Sequence, residues 1–398
     1  MEARSGSVKV PGGKLVRVTL AAGARLDGDF FADGDARGII SSIETIIDAR
    51  APLLDDIVGA AGRGIEEDID IDGADVGIDD DGDARVRAVG QWYRETARQI
   101  DGVLGGRLIG ASADAIARAA MRATAADSDA VRAFEAYHAA RVRRSWNAAQ
   151  RAGGAAPRVI DDDEIGARWA ALRPRVIVDV PRMPQAQMDI EALWSRQVAG
   201  GARGATLRIW DWAAPAVVCG RYQSIEDEVD VAAARVRGVH IVRRATGGGA
   251  MFIEPQHTIT YSLYAPLSFA DGLDAAQTYQ LCDAWLLAAL ARCGVRAHFA
   301  GLNDIAGARG KIGGAAQMRV PPHNGGPGCL LHHVTLAYAI DADAMGDVLI
   351  TDPEKMSDKS VKSAKRRVEP IVTQTTMSRD AIVAVMAATA AAFGSAAA

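Results

Sequence analysis

The stretch HIVRRATGGGAMF, residues 240–252, sets two arginines and a triple glycine between two apolar runs. It reads as a strand leaving a core, a loop, and a return into a second strand. Three successive residues without a Cβ let other groups approach the backbone closely. Consecutive N–H groups in such a loop form an anion nest, and Arg243 and Arg244 would bring positive charge to the same rim. An anionic ligand is the expected occupant; the plain alternative is a glycine-rich hairpin with surface arginines. The loop is neither of the simpler nucleotide signatures, because the chain has no GxGxxG after a strand and no GxxxxGK[ST].

Working outward, short strands are expected at TLRIWDW, AVVCG, HIVRR and HTITYSL, and further ones at VRAHF, KIGGAAQM and HHVTLAYAI. Helices are expected at MDIEALWSRQV, with Ile190, Leu193, Trp194 and Val198 on one face, and at YQLCDAWLLAALARCG, closed by Gly294. A last helix runs from about Arg379 to Phe393. Strands grouped between a few helices, without regular βαβ alternation, predict an α+β fold with a mixed or antiparallel sheet.

A chain of 398 residues exceeds one ordinary core and predicts at least two domains. The first residues alternate like a hairpin, VKV–PGG–KLVRVTL, followed by RLDGDFF and a helical IISSIETIID. Residues 64–84 form an acidic insertion with ten Asp or Glu between Glu66 and Asp83. Within it, DIDIDGADVGID places Asp68, Asp70, Asp72, Gly73 and Asp79 on the calcium-loop template. Asp stands where the bidentate Glu belongs and isoleucines fill positions 2 and 4, so the match is read as chance in an acidic tract. Residues 112–151 have helical spacing, and RAGGAAPRVIDDDEIG reads as a linker. The expected division is 1–155, a linker at 156–173, and 174–398.

A second informative stretch is LNDIAGARGKIGGAAQMR, residues 302–319. The chain has 45 basic residues, of which only seven are lysines: Lys9, Lys14, Lys311, Lys355, Lys359, Lys362 and Lys365. Where Arg supplies nearly all the charge, a Lys marks places that need a compact ammonium. Lys311 lies between glycines at the start of a small-residue strand, beside Asn303 and Asp304. There it would offset charge moving between a phosphate and a carboxylate as they react.

Here the residues resemble a known family. RRATGGGAMF is similar to the arginine, Ser/Thr and triple-glycine motif of lipoate-protein ligases. NDIAGARGKIGGAAQ resembles that family's Asn-Asp-Ile/Leu element and lysine motif, and HHVTLAYAID and KSAKRRVEPI resemble the segments that follow. The resemblance spans about residues 174–395 and implies the catalytic domain of the biotin/lipoate ligase type. VKVPGGKLVRVTL, LDGDFF and RLIGASADAIARA resemble the family's small α+β accessory domain, which in many members follows the catalytic domain or is a separate chain and here comes first. That domain is expected to act as a lid, with Lys9 and Lys14 flanking its PGG turn.

Carried over, the resemblance implies that Lys311 is the catalytic residue, touching the lipoyl carboxylate and the nucleotide α-phosphate. Arg244, Thr246, Gly247, Gly248, Gly249, Ala250, Met251 and Phe252 would bind ATP or lipoyl-adenylate, as would Asn303, Asp304, Gly314 and Ala315, with Asp304 near Mg²⁺. The family often has His then Asp after the aromatic of the glycine motif; Ile253 and Glu254 stand here, with His257 close by. The implied substrates are ATP and lipoate. The implied partners are lipoyl carrier domains, namely 2-oxoacid dehydrogenase E2 subunits and the glycine cleavage H protein.

The hydrophobic fraction of 49% and net charge of -5 argue against nucleic acid as a partner. The N-terminal MEARSGSVKVPGG lacks an apolar segment and no long apolar window follows, so no membrane is expected and a cytoplasmic location is. Cys219, Cys282, Cys293 and Cys329 show no CxxC spacing and read as packed thiols. Two rival readings remain: an octanoyl or lipoyl acyltransferase working through a cysteine, for which Cys293 is the nearest candidate, and a lipoate-binding protein without activity.

Overall fold

The computed structural model describes residues 3–10, 13–32, 36–59, 84–139, 159–350, 352, 354 and 368–394. The calcium-loop match and most of KSAKRRVEPI lie outside them. The chain divides into two compact units: one made of 1–10, 15–27 and 36–156, the other of 11–14, 28–35 and 157–398.

In the first unit β1 (Arg4–Lys9), β2 (Leu15–Leu20) and β3 (Ala24–Gly28) form one sheet, β1 and β2 antiparallel with Lys9 opposite Leu15, as the hairpin pattern predicts. Four helices accompany them: α1 (Arg37–Gly59), α2 (Ala84–Leu104), α3 (Ala113–Ala125) and α4 (residues 129–139), with β5 (Leu108–Ile109) between α2 and α3. Helix α1 buries Ile39, Ile43 and Ile47, a stripe at four-residue spacing. Helix α3 carries Ala119 and Ala123 against β1, and a Cβ on Gly6 would overlap the Ala119 carbonyl, so glycine is what lets helix and strand meet.

The second unit begins in sequence with residues 13–14 and with β4 (Phe31–Ala32), both contributed from the N-terminal text. Its main sheet has seven strands: β6 (Arg175–Val178), β7 (Thr206–Trp210), β11 (Thr258–Ala265), β12 (His298–Ala300), β13 (Asp304–Ala306), β14 (Lys311–Val320) and β15 (Cys329–Ala337). Their order is β12-β13-β14-β15-β11-β7-β6, and all neighbours are antiparallel except β6 and β7. A smaller sheet has β8 (Ala216–Cys219) between β10 (Met251–Ile253) and β9 (His240–Arg243), β9 parallel and β10 antiparallel to β8. The expected α+β class with a mixed, mostly antiparallel sheet is what forms.

The two faces of the main sheet differ. Along β11, Ile259, Tyr261 and Leu263 enter the large core with Trp285 and Leu281 of α9 (Ala275–Arg292) and Met386 of α11 (Arg379–Ala392). Thr258, Thr260, Ser262 and Tyr264 face the other way and are equally buried. On that second face lies α6 (Pro184–Ala199), whose Val198 and Ala199 pack with Tyr264 and Leu331. Helix α9 opens on a capping box of Asp274 and Gln277 and ends before Gly294 at φ +77°, the expected stop.

Two expectations need correcting. The stretch 156–173, read as linker, contains α5 (Asp162–Leu172), capped by Asp161, with Ile165 and Trp169 inside the large core. Its acidic run is a helix first turn, where negative charge is favoured, rather than a solvated spacer. Helix α6 buries only Val198 of the stripe Ile190–Leu193–Trp194–Val198: Leu193 is exposed, and the buried face carries Gln187, Glu191 and Ser195 beside Met188, Val198 and Ala199. Among the described residues no helix is long and apolar enough to cross a membrane.

Candidate functional site

The glycine stretch links β9 to β10, the strands on either side of β8, so it must cross the carboxyl end of β8. Gly220 follows that end directly, and a Cβ there would overlap the Gly248 carbonyl oxygen. The loop is held from beneath by Arg244, which is 3% exposed. Its guanidinium donates to the Val218 carbonyl at 3.0 Å, the Gly247 carbonyl at 2.7 Å, the Gly249 carbonyl at 2.9 Å and Thr246 Oγ1 at 3.0 Å. Burial lowers its pKa to about 10, against nearby groups that raise it, so it stays a cation at neutral pH. Arg243 donates to the carbonyls of Gly220 and Gln223, each at 2.7 Å. Arg244 therefore fixes the backbone from within, and the expectation that it presents charge at the rim is corrected, because it is buried with its fork on oxygen acceptors; Arg243 uses Nη1 on carbonyl oxygens and remains exposed.

The space above the three glycines is filled by the chain itself. A Cβ on Gly247 would overlap the Phe30 carbonyl, and one on Gly248, at φ +96°, would lie 2.9 Å from the Phe31 ring and 2.8 Å from Arg244. Gly248 N–H donates to the Phe30 carbonyl at 3.3 Å. Asp29 accepts from Gln223 Nε2 at 2.8 Å and lies beside Gly249. Met251 and Phe252 pair with Val218 and Val217, and the Phe252 and Ala250 side chains pack into the small apolar cluster around β8.

The second stretch comes together on β13 and β14. Asp304 lies opposite Gly314 in register, and Lys311 Nζ reaches Asp304 Oδ1 at 2.7 Å. A Cβ on Gly314 would stand 2.6 Å from that ammonium, so the bare backbone is what allows Lys311 to lie across it. The two side chains remain 40% and 36% exposed. Asn303 Nδ2 donates to the Ala315 carbonyl at 2.5 Å, while Ala315 N–H donates to the Asn303 carbonyl at 2.8 Å. Lys14 Nζ donates to Asn303 Oδ1 at 2.7 Å and stands 5.0 Å from the centre of the Phe31 ring. Phe31 thus lies beside both the glycine loop and Lys14. The turn before Lys311 is pinned by Glu369, whose Oε2 accepts from Arg309 N–H at 2.6 Å and Gly310 N–H at 2.9 Å.

Beneath the loop lies a polar layer that the sequence reading missed. Thr246 Oγ1 is 2.9 Å from His333 Nε2, His333 Nδ1 is 2.8 Å from Glu191 Oε1, and Ser262 Oγ donates to Glu191 Oε1 at 2.6 Å. Burial alone would raise the Glu191 carboxyl, but His333, with Ser262 and Arg208, brings it below its ordinary value. The neighbouring His332 faces the opposite side of the sheet, 2.6 Å from Asp283, which also accepts from the Tyr261 hydroxyl. The signal for this layer was the pair of histidines in HHVTLAYAI: at strand spacing they point to opposite faces, and each needs a partner.

Cys293 caps α9, is 3% exposed and packs in the large core, with its thiol pushed up by burial. Those are the properties of a packed thiol, not of a nucleophile. Among the described residues no three His, Cys, Asp or Glu side chains gather as a metal site, and Asp304 holds Lys311. That donor set does not build a resident metal site.

Residues 183–391, more than half of the chain, match the family model of the lipoyl protein ligase A/B catalytic domain. The chain is 28% identical over 157 residues to lipoate-protein ligase 1 of Staphylococcus aureus, an alignment covering 39% of this chain and 44% of that protein. It is 28% identical over 163 residues to lipoate-protein ligase A subunit 1 of Thermoplasma acidophilum, covering 38% and 58%. The chain spans about half the length of the curated relatives it matches. A solved structure of a bi-partite lipoate protein ligase and its E2 lipoyl domain from Thermoplasma acidophilum aligns with a TM-score of 0.45 at 22% identity, covering 54% of this chain and 81% of that one.

Proposed function

Because the chain belongs to the family of the lipoyl protein ligase A/B catalytic domain, we propose that it activates lipoate with ATP and transfers the lipoyl group to a lysine on a lipoyl carrier domain. The observation that carries this reading is the Lys311–Asp304 pair lying over Gly314 beside Asn303. In the first step a carboxylate oxygen of lipoate attacks the α-phosphorus of ATP, the mixed anhydride forms and pyrophosphate leaves. In the second the neutral ε-amine of the carrier lysine attacks the acyl carbon, the amide forms, a proton is released and AMP leaves.

Lys311 keeps its proton through both steps and offsets negative charge, first on the phosphorus oxygens and then on the acyl oxygen. Asp304 aims it, and the backbone from Gly249 to Phe252, in a loop held in shape by Arg244, lines the adenylate. Mg²⁺ belongs to this reading as the counter-ion of the nucleotide. The carriers are the lipoyl domains of 2-oxoacid dehydrogenase E2 subunits and the glycine cleavage H protein.

Exchange of labelled pyrophosphate into ATP tests the reading. It is expected only when lipoate is added, and it is expected to persist in Cys293→Ser. A protein that shows no lipoate-dependent exchange is not this ligase. Loss of exchange in Cys293→Ser, with circular dichroism unchanged, would favour the thioester acyltransferase instead.

A further inference from the structure

A lysine ammonium rides on a flexible four-carbon stem, so its place is only as definite as the backbone that carries it. Lys311 is the first residue of β14, and the pairing of β14 with β15 begins at Gly313, two residues further on. On one side Lys311 lies opposite Ala306, where the β13–β14 register shifts. On the other it bridges Val368, and its carbonyl accepts from Glu369 N–H at 2.8 Å. The hairpin turn between those strands closes with Gly307 N–H on the Gly310 carbonyl at 2.9 Å, and the Glu369 side chain enters that turn. Its Oε2 accepts from Arg309 N–H at 2.6 Å and Gly310 N–H at 2.9 Å, while Oε1 accepts from Gln374 Nε2 at 2.9 Å and lies 3.6 Å from Arg309 Nε. A Cβ on Gly307 would stand 2.6 Å from Oε2, so glycine is what admits the carboxylate. Glu369 is 3% exposed, and a carboxylate so deeply buried is tolerated only where its oxygens are satisfied, as they are by this turn.

We propose that Glu369 is a positioning residue for the reaction: it binds the amides of the turn before Lys311 and, through the pairing of residues 368–369 with Lys311, sets where the ammonium lies over Gly314. The assignment rests on the ligase reading above. In that reading Lys311 serves both half-reactions, so Glu369 acts on both, and on their rates rather than on nucleotide affinity. Glutamine in its place keeps one oxygen for the two turn amides. Alanine leaves both amides without an acceptor in a buried place, and the turn must move to satisfy them.

The test compares the full chain with its Glu369→Gln and Glu369→Ala variants and follows the lysine itself as well as the reaction. With seven lysines in the chain, nuclear magnetic resonance of isotope-labelled lysine side chains gives a sparse spectrum, in which the Lys311 signal is the one missing from Lys311→Arg. Glu369→Ala is expected to move that signal towards the position it takes in Asp304→Asn, where the ion pair is gone, and Glu369→Gln to move it less. Misplacing a reacting group by about 1 Å costs about a hundredfold in rate. Glu369→Ala is therefore expected to slow adenylate formation and transfer from preformed lipoyl-adenylate alike, by about tenfold to a hundredfold, with the KM for ATP within about twofold and most of the loss restored in Glu369→Gln. An unmoved Lys311 signal in Glu369→Ala would overturn the assignment, as would a loss confined to the KM for ATP. Should Glu369→Ala fail to fold by circular dichroism, Glu369→Gln decides on the same readouts, and an unmoved signal there with unaltered rates overturns it equally. If the signal moves as expected in a protein without lipoate-dependent pyrophosphate exchange, the positioning of Lys311 stands and the ligase reading fails.

Discussion

Lys311 and Arg244 carry the same charge and do opposite jobs, and the difference lies in their surroundings. The Lys311 ammonium has a single carboxylate partner and lies over a bare glycine with solvent beside it. In the proposed reaction its compactness would let a phosphate and a carboxylate approach together. Lys311→Arg places a fork where Gly314 leaves room for one nitrogen, and it is expected to slow adenylate formation about a hundredfold or more, nearly as far as Lys311→Ala. The measurement is single-turnover formation of lipoyl-adenylate, and near-normal turnover in the arginine variant would remove Lys311 from its role. Arg244, by contrast, uses the fork itself: three acceptors on the glycine turn and the Val218 carbonyl of β8 match its donors, a geometry that lysine cannot reproduce.

Helix α6 and strand β15 meet through Glu191 and His333, which are 142 residues apart in sequence and have no local pattern in common. The Glu191 carboxyl sits below its ordinary value of 4.5, so its protonation favours the unfolded chain. The stability it contributes is fully present above pH 4.5 and is lost as the pH falls through the lower value held in the folded protein. Glu191→Gln is therefore expected to unfold at less urea than the unaltered chain at pH 6.5 and to lose less on going to pH 3.5, which urea midpoints at the two pH values would check. This pair also explains how far the site could be read from sequence. The glycine loop between two strands, and Lys311 beside Asn303 and Asp304, were legible because each is written within one short stretch of chain. Glu191 was not, because α6 turns a polar face inward and its apolar spacing points to Leu193, which faces solvent. Helix α5 escaped for the opposite reason: DDDE reads as solvated until Ile165 and Trp169, four residues apart, are found in the core.

The second unit is not one continuous stretch of chain, because residues 11–14 and 28–35 belong to it although more than a hundred residues of the first unit intervene. A chain beginning at residue 157 would therefore lose Lys14, Asp29, Phe30 and Phe31 and uncover Gly247. It is expected to fold and to accept preformed lipoyl-adenylate for transfer, while making the adenylate from ATP at least about a hundredfold more slowly. Unchanged activation in that shortened chain would show that those residues serve something other than the site. The 289 residues between Lys14 and Asn303 bear also on the birth of the protein. At a synthesis rate of about 5–20 residues per second, Lys14 leaves the ribosome roughly 15–60 s before its partner exists. Lys311 and the strands around it are made late in the chain, so the contact between Lys14 and Asn303 cannot form before then. The contact between the N-terminal loop and Asn303 is thus among the late ones a nascent polypeptide can make, and a half-made chain carries one side of it with nothing yet to meet.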